Sequence, residues 1–123
     1  MKRLFLSLLL LFSLLSCEHK TVSSQTDACN VQDPVRDLPW LKLLIEKAVQ
    51  DKEASILTIT LLQVKGRPIF NYYTSYMSCI GCINYDCNGT LIDKSTFSEE
   101  ELKEFQTALF ESSGKKTILW PEK

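Results

Sequence analysis

One histidine occurs in 123 residues, and it sits at position 19, near the start of the chain. Beyond it no imidazole is on hand to act as a general acid or base, or to complete a metal site. Basic charge is not in excess either: 14 Lys and Arg stand against 15 Asp and Glu, with no basic block. Nucleic-acid binding therefore lacks its electrostatic footprint, and no such partner is expected. No apolar run reaches the roughly 20 residues that a membrane-spanning helix needs. No internal repeat divides the chain, and its length suits one small domain.

What is present begins with an address. Met1-Lys2-Arg3 places two positive charges ahead of a short run rich in leucine, which ends on Ser16-Cys17. That layout predicts a signal peptide over residues 1–16. Leu14-Leu15-Ser16-Cys17 resembles the bacterial lipobox, with Leu15 the looser match. The resemblance implies diacylglyceryl attachment at Cys17, cleavage before it, and acylation of the new amine by a chain such as palmitate. More than one acyl chain makes anchoring stable where a single chain is marginal. The expected location is the cell envelope, lipid-anchored to a membrane, most naturally the outer membrane, and facing the periplasm or the cell surface. The competing reading is an ordinary secretory signal with a chance cysteine. Cleavage would leave 107 residues carrying 12 basic against 15 acidic side chains, a formal charge of −3. A chain of that length buries a modest core, so cross-links would help it.

With Cys17 assigned to lipid, Cys29, Cys79, Cys82 and Cys87 remain. An even number in an exported chain argues for disulfides, and four cysteines allow three connectivities. Two sharper readings compete. Cys79-x-x-Cys82 has the spacing of a redox-active pair, but a strand and a turn follow it where the redox fold starts a helix. A zinc site would need Cys29 or His19 to come round as fourth ligand. Disulfides are the favoured reading, and no metal or other cofactor is expected. Along a strand Cys82 and Cys87 would point to opposite faces, which favours Cys29 reaching the cluster.

Residues 17–33 are polar and aperiodic and read as a flexible tether, leaving 34–123 as a single α+β domain. Asp37 is expected to cap a first helix, with Pro39 in its first turn. Leu41, Leu44, Ile45, Ala48 and Val49 supply its apolar face, and Trp40 folds over the end of the core. Residues 55–64 read as a strand, and Lys65-Gly66-Arg67-Pro68 turns the chain into a second strand over 69–75. Asn88-Gly89 predicts a type I′ hairpin between 83–87 and 90–93. Ser98 and Glu101 make a capping box, with Phe97 and Leu102 as hydrophobic staple. Leu102, Phe105 and Leu109 line that second helix, and Gly114 stops it with Lys115 and Lys116 nearby. Residues 117–120 form a last short strand. The expected architecture is an N-terminal helix, a four-to-five-stranded mostly antiparallel sheet with helices on one face, and a second helix before the last strand. Tyr72, Tyr73 and Tyr76 are candidates for a binding surface on the opposite, open face.

Two stretches, Asp37-Leu38-Pro39-Trp40-Leu41 and Tyr85-Asp86-Cys87-Asn88-Gly89, together with the terminal Ile118-Leu119-Trp120, resemble a family of small Bacteroidota lipoproteins without an assigned biochemical role. Members of that family often carry a further cysteine after the hairpin glycine, where this chain has Thr90-Leu91-Ile92-Asp93. The resemblance therefore implies no particular cysteine pairing, and Cys29 could stand in for the missing partner.

Together these features point to a membrane-anchored, non-enzymatic binding or interaction module, with an envelope protein or a glycan as partner. No catalytic residue is assigned. Asp86 and Asp93 flank a turn, and Glu99, Glu100, Glu101 and Glu104 suit the positive end of a helix. The alternative is a thiol–disulfide redox protein built on Cys79 and Cys82.

Overall fold

The computed structural model describes residues 28–111 and 115–122. The expected signal peptide, the lipid-bearing Cys17, the tether up to residue 27 and the Gly114 stop lie outside the described residues. The elements run α1 (Pro34–Asp37), α2 (Pro39–Gln50), β1 (Leu57–Val64), β2 (Arg67–Thr74), β3 (Ile83–Tyr85), a single 3-10 turn (Lys94–Thr96), α3 (Glu99–Phe110) and β4 (Lys116–Trp120). The four strands form one antiparallel sheet in the order β3-β2-β1-β4. The protein is α+β. Among the described residues no helix is long and apolar enough to cross a membrane.

The sheet is covered on both faces, not on one as the strand pattern suggested. Side chains alternate along a strand. Leu57, Ile59 and Leu61 of β1 and Phe70 of β2 therefore meet Leu41, Ile45 and Ala48 of α2 on one side. Leu62, Val64 and Ile69 meet Phe105, Ala108 and Leu109 of α3 on the other. The physical reason is visible in β1, whose apolar residues occupy both parities. A half-solvated strand alternates, whereas one buried on both faces does not.

The helix starts differ from expectation at α2 and agree at α3. Asp33, not Asp37, caps the first turn: its side chain accepts from the Arg36 amide, and the Asp37 carboxylate accepts from the Asp33 amide. α2 then begins behind Leu38 with Pro39 in place and no side-chain cap. Its Val49 points to solvent, 53% exposed. At α3 the capping box of Ser98 and Glu101 is complete. Phe97 packs on Phe105, at 6.0 Å between ring centroids, and Leu102 stays 37% exposed. Lys116 Nζ donates to the Leu109 carbonyl at 3.1 Å, covering a carbonyl near the negative end of α3.

Lys65 and Gly66 make the β1–β2 connection as a two-residue turn with φ of 50° and 73°. The second turn is not type I′. Only Gly89 has positive φ, at 76°. Asp86 decides the geometry: its Oδ1 accepts from the amides of Asn88 at 2.8 Å and Thr90 at 3.0 Å. Gly89 N–H donates to the Asp86 carbonyl, and Asp86 N–H to that of Thr90. This is a turn closed by a left-handed glycine, with the carboxylate bonded inside it. The returning arm makes one bridge, Tyr85 to Leu91, and no fifth strand.

Residues 28–33, assigned by composition to the tether, belong to the folded unit. Ala28 is buried, Ala28 and Val31 bridge, and a disulfide joins Cys29 to Cys87, 58 positions away. Trp40 sits behind that bridge as expected of a core lid. Its ring meets Phe70 edge-on at 5.2 Å, and its Nε1 donates to the Cys87 carbonyl at 2.8 Å. Partial burial of an indole with its N–H satisfied ties the turn, the disulfide and the start of α2 to one another.

Candidate functional site

The second disulfide, Cys79–Cys82, closes a loop of two intervening residues between β2 and β3. Two buried asparagines hold this loop on the sheet. Asn71 and Asn84 are paired across β2 and β3 on the α3 side. Asn71 Nδ2 donates to the Ile80 carbonyl at 2.8 Å and to Asn84 Oδ1 at 3.0 Å. Asn84 Nδ2 donates to the Gly81 carbonyl at 2.9 Å. Buried amides bonded in this way fix the backbone they hold, because an unmade bond there is costly.

The loop thereby lies beside α3. A Cβ placed on Gly81 would come within 3.2 Å of Leu109 Cδ2 and 3.3 Å of Phe105 Cε1. Glycine lets the backbone approach the helix this closely. Between the loop and the flank of α3 runs an open groove of about 340 Å³. Phe105 is buried at its base, and Ile80, Leu102 and Phe110 line its sides while remaining 40%, 37% and 64% exposed. Leu102, Gln106 and Phe110 recur every four residues, so they share one flank of the helix. Lys94 borders the groove with its ammonium 5.3 Å from the centre of the Phe105 ring.

A second recess, of about 380 Å³, lies among Lys65, Glu100, Lys103, Glu104, Thr107 and Lys115. Four of its five charges answer one another: Lys65 pairs with Glu100 at 3.2 Å and with Glu104 at 3.9 Å, and Lys115 with Glu104 at 3.0 Å. The Lys115 bond holds the Glu104 carboxyl below its ordinary pKa of 4.5. Such solvated pairs tie β4 and the β1–β2 turn to α3. Lys103, on the rim of the same recess, has no carboxylate within ion-pair distance among the described residues.

The tyrosines do not make one surface. Tyr72 and Tyr73 are consecutive on β2 and face opposite ways. Tyr72 packs against the α2 core, where burial raises its pKa. Tyr76 lies beyond the strand, 66% exposed, with its hydroxyl 3.3 Å from Glu53. The cysteines do come together in two pairs, with Cys29 reaching the cluster through Cys87. Cys82 runs directly into β3, and no helix begins at the motif. No group of three or more His, Cys, Asp or Glu among the described residues could hold a metal ion.

Sequence reasoning missed Lys94, the helix flank and the asparagine pair. Asn71 carried a signal, since asparagine is depleted in strands and this one sits between Phe70 and Tyr72. No protein-family model, curated protein or solved structure matches this chain.

Proposed function

We propose that this chain is a non-enzymatic binding module, exported and held at a membrane through lipid on Cys17, and that it binds at the groove between the Cys79–Cys82 loop and α3. The observation that carries the reading is the construction of that groove. Exposed apolar side chains stand on a helix on one side and on a disulfide-closed loop on the other, and two buried asparagines fix the loop. A surface that is stiff before a ligand arrives loses little entropy on binding. The lipobox-like Leu14-Leu15-Ser16-Cys17 and the resemblance to small Bacteroidota lipoproteins support the anchor. A tethered binder gains effective concentration for ligands at the same surface. An oxidised cysteine set is in keeping with export.

The second reading, a thiol–disulfide protein, draws on the exposure of Cys82. Against it stand the β-strand that follows the motif and the absence of a helix N-terminus to lower a thiol pKa there. Single variants Cys79→Ser and Cys82→Ser in the native cells separate the two. A redox protein lacking one partner cysteine accumulates mixed disulfides with its clients. The binding module accumulates none beyond the background of a Cys29→Ser control, and trapped clients would reject it. Cys17→Ser tests the anchor: the variant is expected to take up no lipid label and to keep residues 1–16 uncleaved, and lipid label on the variant would refute attachment at Cys17.

A further inference from the structure

We propose that the groove binds a small amphiphilic carboxylate, with its apolar chain along Ile80, Leu102 and Phe110 and its carboxylate on the Lys94 ammonium. The inference rests on the reading of the chain as a binding module and names the ligand class of that same site. Three observations carry it.

The first is charge. Lys94 is the one ionisable side chain on the groove, and no carboxylate among the described residues lies within ion-pair distance of it. Lys47, Lys65 and Lys115 have such partners, whereas Lys42, Lys52 and Lys103 have none among the described residues but lie away from this groove. The Lys94 ammonium instead sits over the Phe105 ring at 5.3 Å, where the face of the ring attracts it. An ammonium stacked on a buried aromatic at the edge of an apolar trough offers an anion a partner in a partly desolvated setting, where a charge-assisted bond is stronger than at an open surface.

The second is apolarity. Ile80, Leu102 and Phe110 remain exposed although they border the same trough. A ligand carrying charge alone would leave them in water, whereas an alkyl chain would cover them. The third is size. About 340 Å³ lies at the small end of ligand sites, which span about 300–1,000 Å³. The occupant that answers the charge, the apolar lining and the volume together is a free amphiphile, with one acidic head and a short hydrocarbon tail.

The probes are octanoate, octanol and octylammonium, which share a chain and differ in head-group charge. They are titrated into the full lipidated chain, labelled with nitrogen-15 and held in zwitterionic lipid nanodiscs. The readout is the amide shift of Gly81 and Lys94, so partition into lipid alone is not scored. Octanoate is expected to bind about tenfold more tightly than octanol, the worth of one charge-assisted hydrogen bond. Octylammonium is expected to be the weakest of the three. Lys94→Gln removes the preference for octanoate and leaves octanol unchanged, while Lys94→Arg keeps it. In both variants Gly81 alone carries the readout, and an amide spectrum altered only around position 94 establishes that they fold.

Equal binding of octanoate and octanol, stronger binding of octylammonium, or no shift with any probe at millimolar concentration would each overturn the proposal. Tighter binding by a peptide ending in a free leucine carboxylate than by octanoate would also overturn it, in favour of a protein terminus. Failure here with no trapped clients in the single-cysteine variants rejects the ligand class alone. Trapped clients reject the binding-module reading beneath it.

Discussion

Gly89→Ala is the sharpest test of how the turn, the tryptophan and the disulfide fit together. Two separate costs meet at this position. The backbone holds φ at +76°, a region that costs a residue with a Cβ about 1–2 kcal/mol. The added methyl would also stand 2.6 Å from Trp40 Cγ and 2.7 Å from Cδ2, closer than carbon atoms tolerate. The indole cannot swing away cheaply, because its Nε1 is bonded to Cys87 and its ring is packed on Phe70. Overpacking of this kind costs about 1–3 kcal/mol more. Gly66→Ala supplies the comparison inside the same molecule: φ is +73°, and nothing lies within 4 Å of its Cβ. Both substitutions stiffen the unfolded chain by the same amount, about 0.4–1 kcal/mol, so that contribution cancels between them. With a urea slope of about 1–3 kcal/mol/M, the midpoint of Gly89→Ala should fall by about 1–2 M, and that of Gly66→Ala by well under half as much. A second check is the double variant with Trp40→Ala, in which the overlap is gone. The two losses should then sum to less than their separate values by about 1–3 kcal/mol. Equal midpoints for Gly89→Ala and Gly66→Ala would refute the argument that Trp40 closes on the turn.

The disulfides should be unequal. In the chain-entropy account, removing Cys29–Cys87, with 58 positions between its ends, costs about 4 kcal/mol. Removing Cys79–Cys82, with a separation of 3, costs about 2 kcal/mol, and equal losses in denaturant titration would contradict this. Asn84→Ala removes the donor that holds the Gly81 carbonyl, so amide exchange should quicken across residues 78–83 and stay unchanged in α2. A uniform change would place the effect elsewhere. Glu104 has a pKa lowered by Lys115 and Lys65, so its contribution to stability is fully present above its ordinary pKa of 4.5. That contribution is lost as pH falls through the lower folded value, and Glu104→Gln should flatten this acid limb of the stability curve. An unchanged limb would show that the pair does not hold β4 to α3.

Much of the fold was legible because its signals are local. Ser98 and Glu101 lie three apart and satisfy one another, Lys65-Gly66 needs only two positive dihedrals, and the elements follow their apolar periods. The misreadings came where a distant or competing partner decided the outcome. Asn88-Gly89 read as a type I′ turn, but the Asp86 carboxylate caught the Asn88 and Thr90 amides and set another geometry. Asp33 took the capping role from Asp37 because Pro34 starts a separate turn one residue later. The apolar residues at both parities of β1 announced two covered faces, and only the assumption of a free face placed Tyr72 and Tyr73 together. The groove was out of reach for a further reason. It joins Lys94, the flank of α3 and a loop whose position depends on Asn71 and Asn84, and none of these is near another in a pattern a period can reveal.

The proposed binding surface is the groove beside α3. Benzoylphenylalanine placed at Ile80 or at Phe110 in the living cell, with the same probe at the 65% exposed Leu43 on α2 as control, tests it directly. Irradiation followed by intact-mass analysis should give a discrete added mass at both groove positions and none at Leu43. No adduct at the groove, or the same adducts at Leu43, would contradict the account.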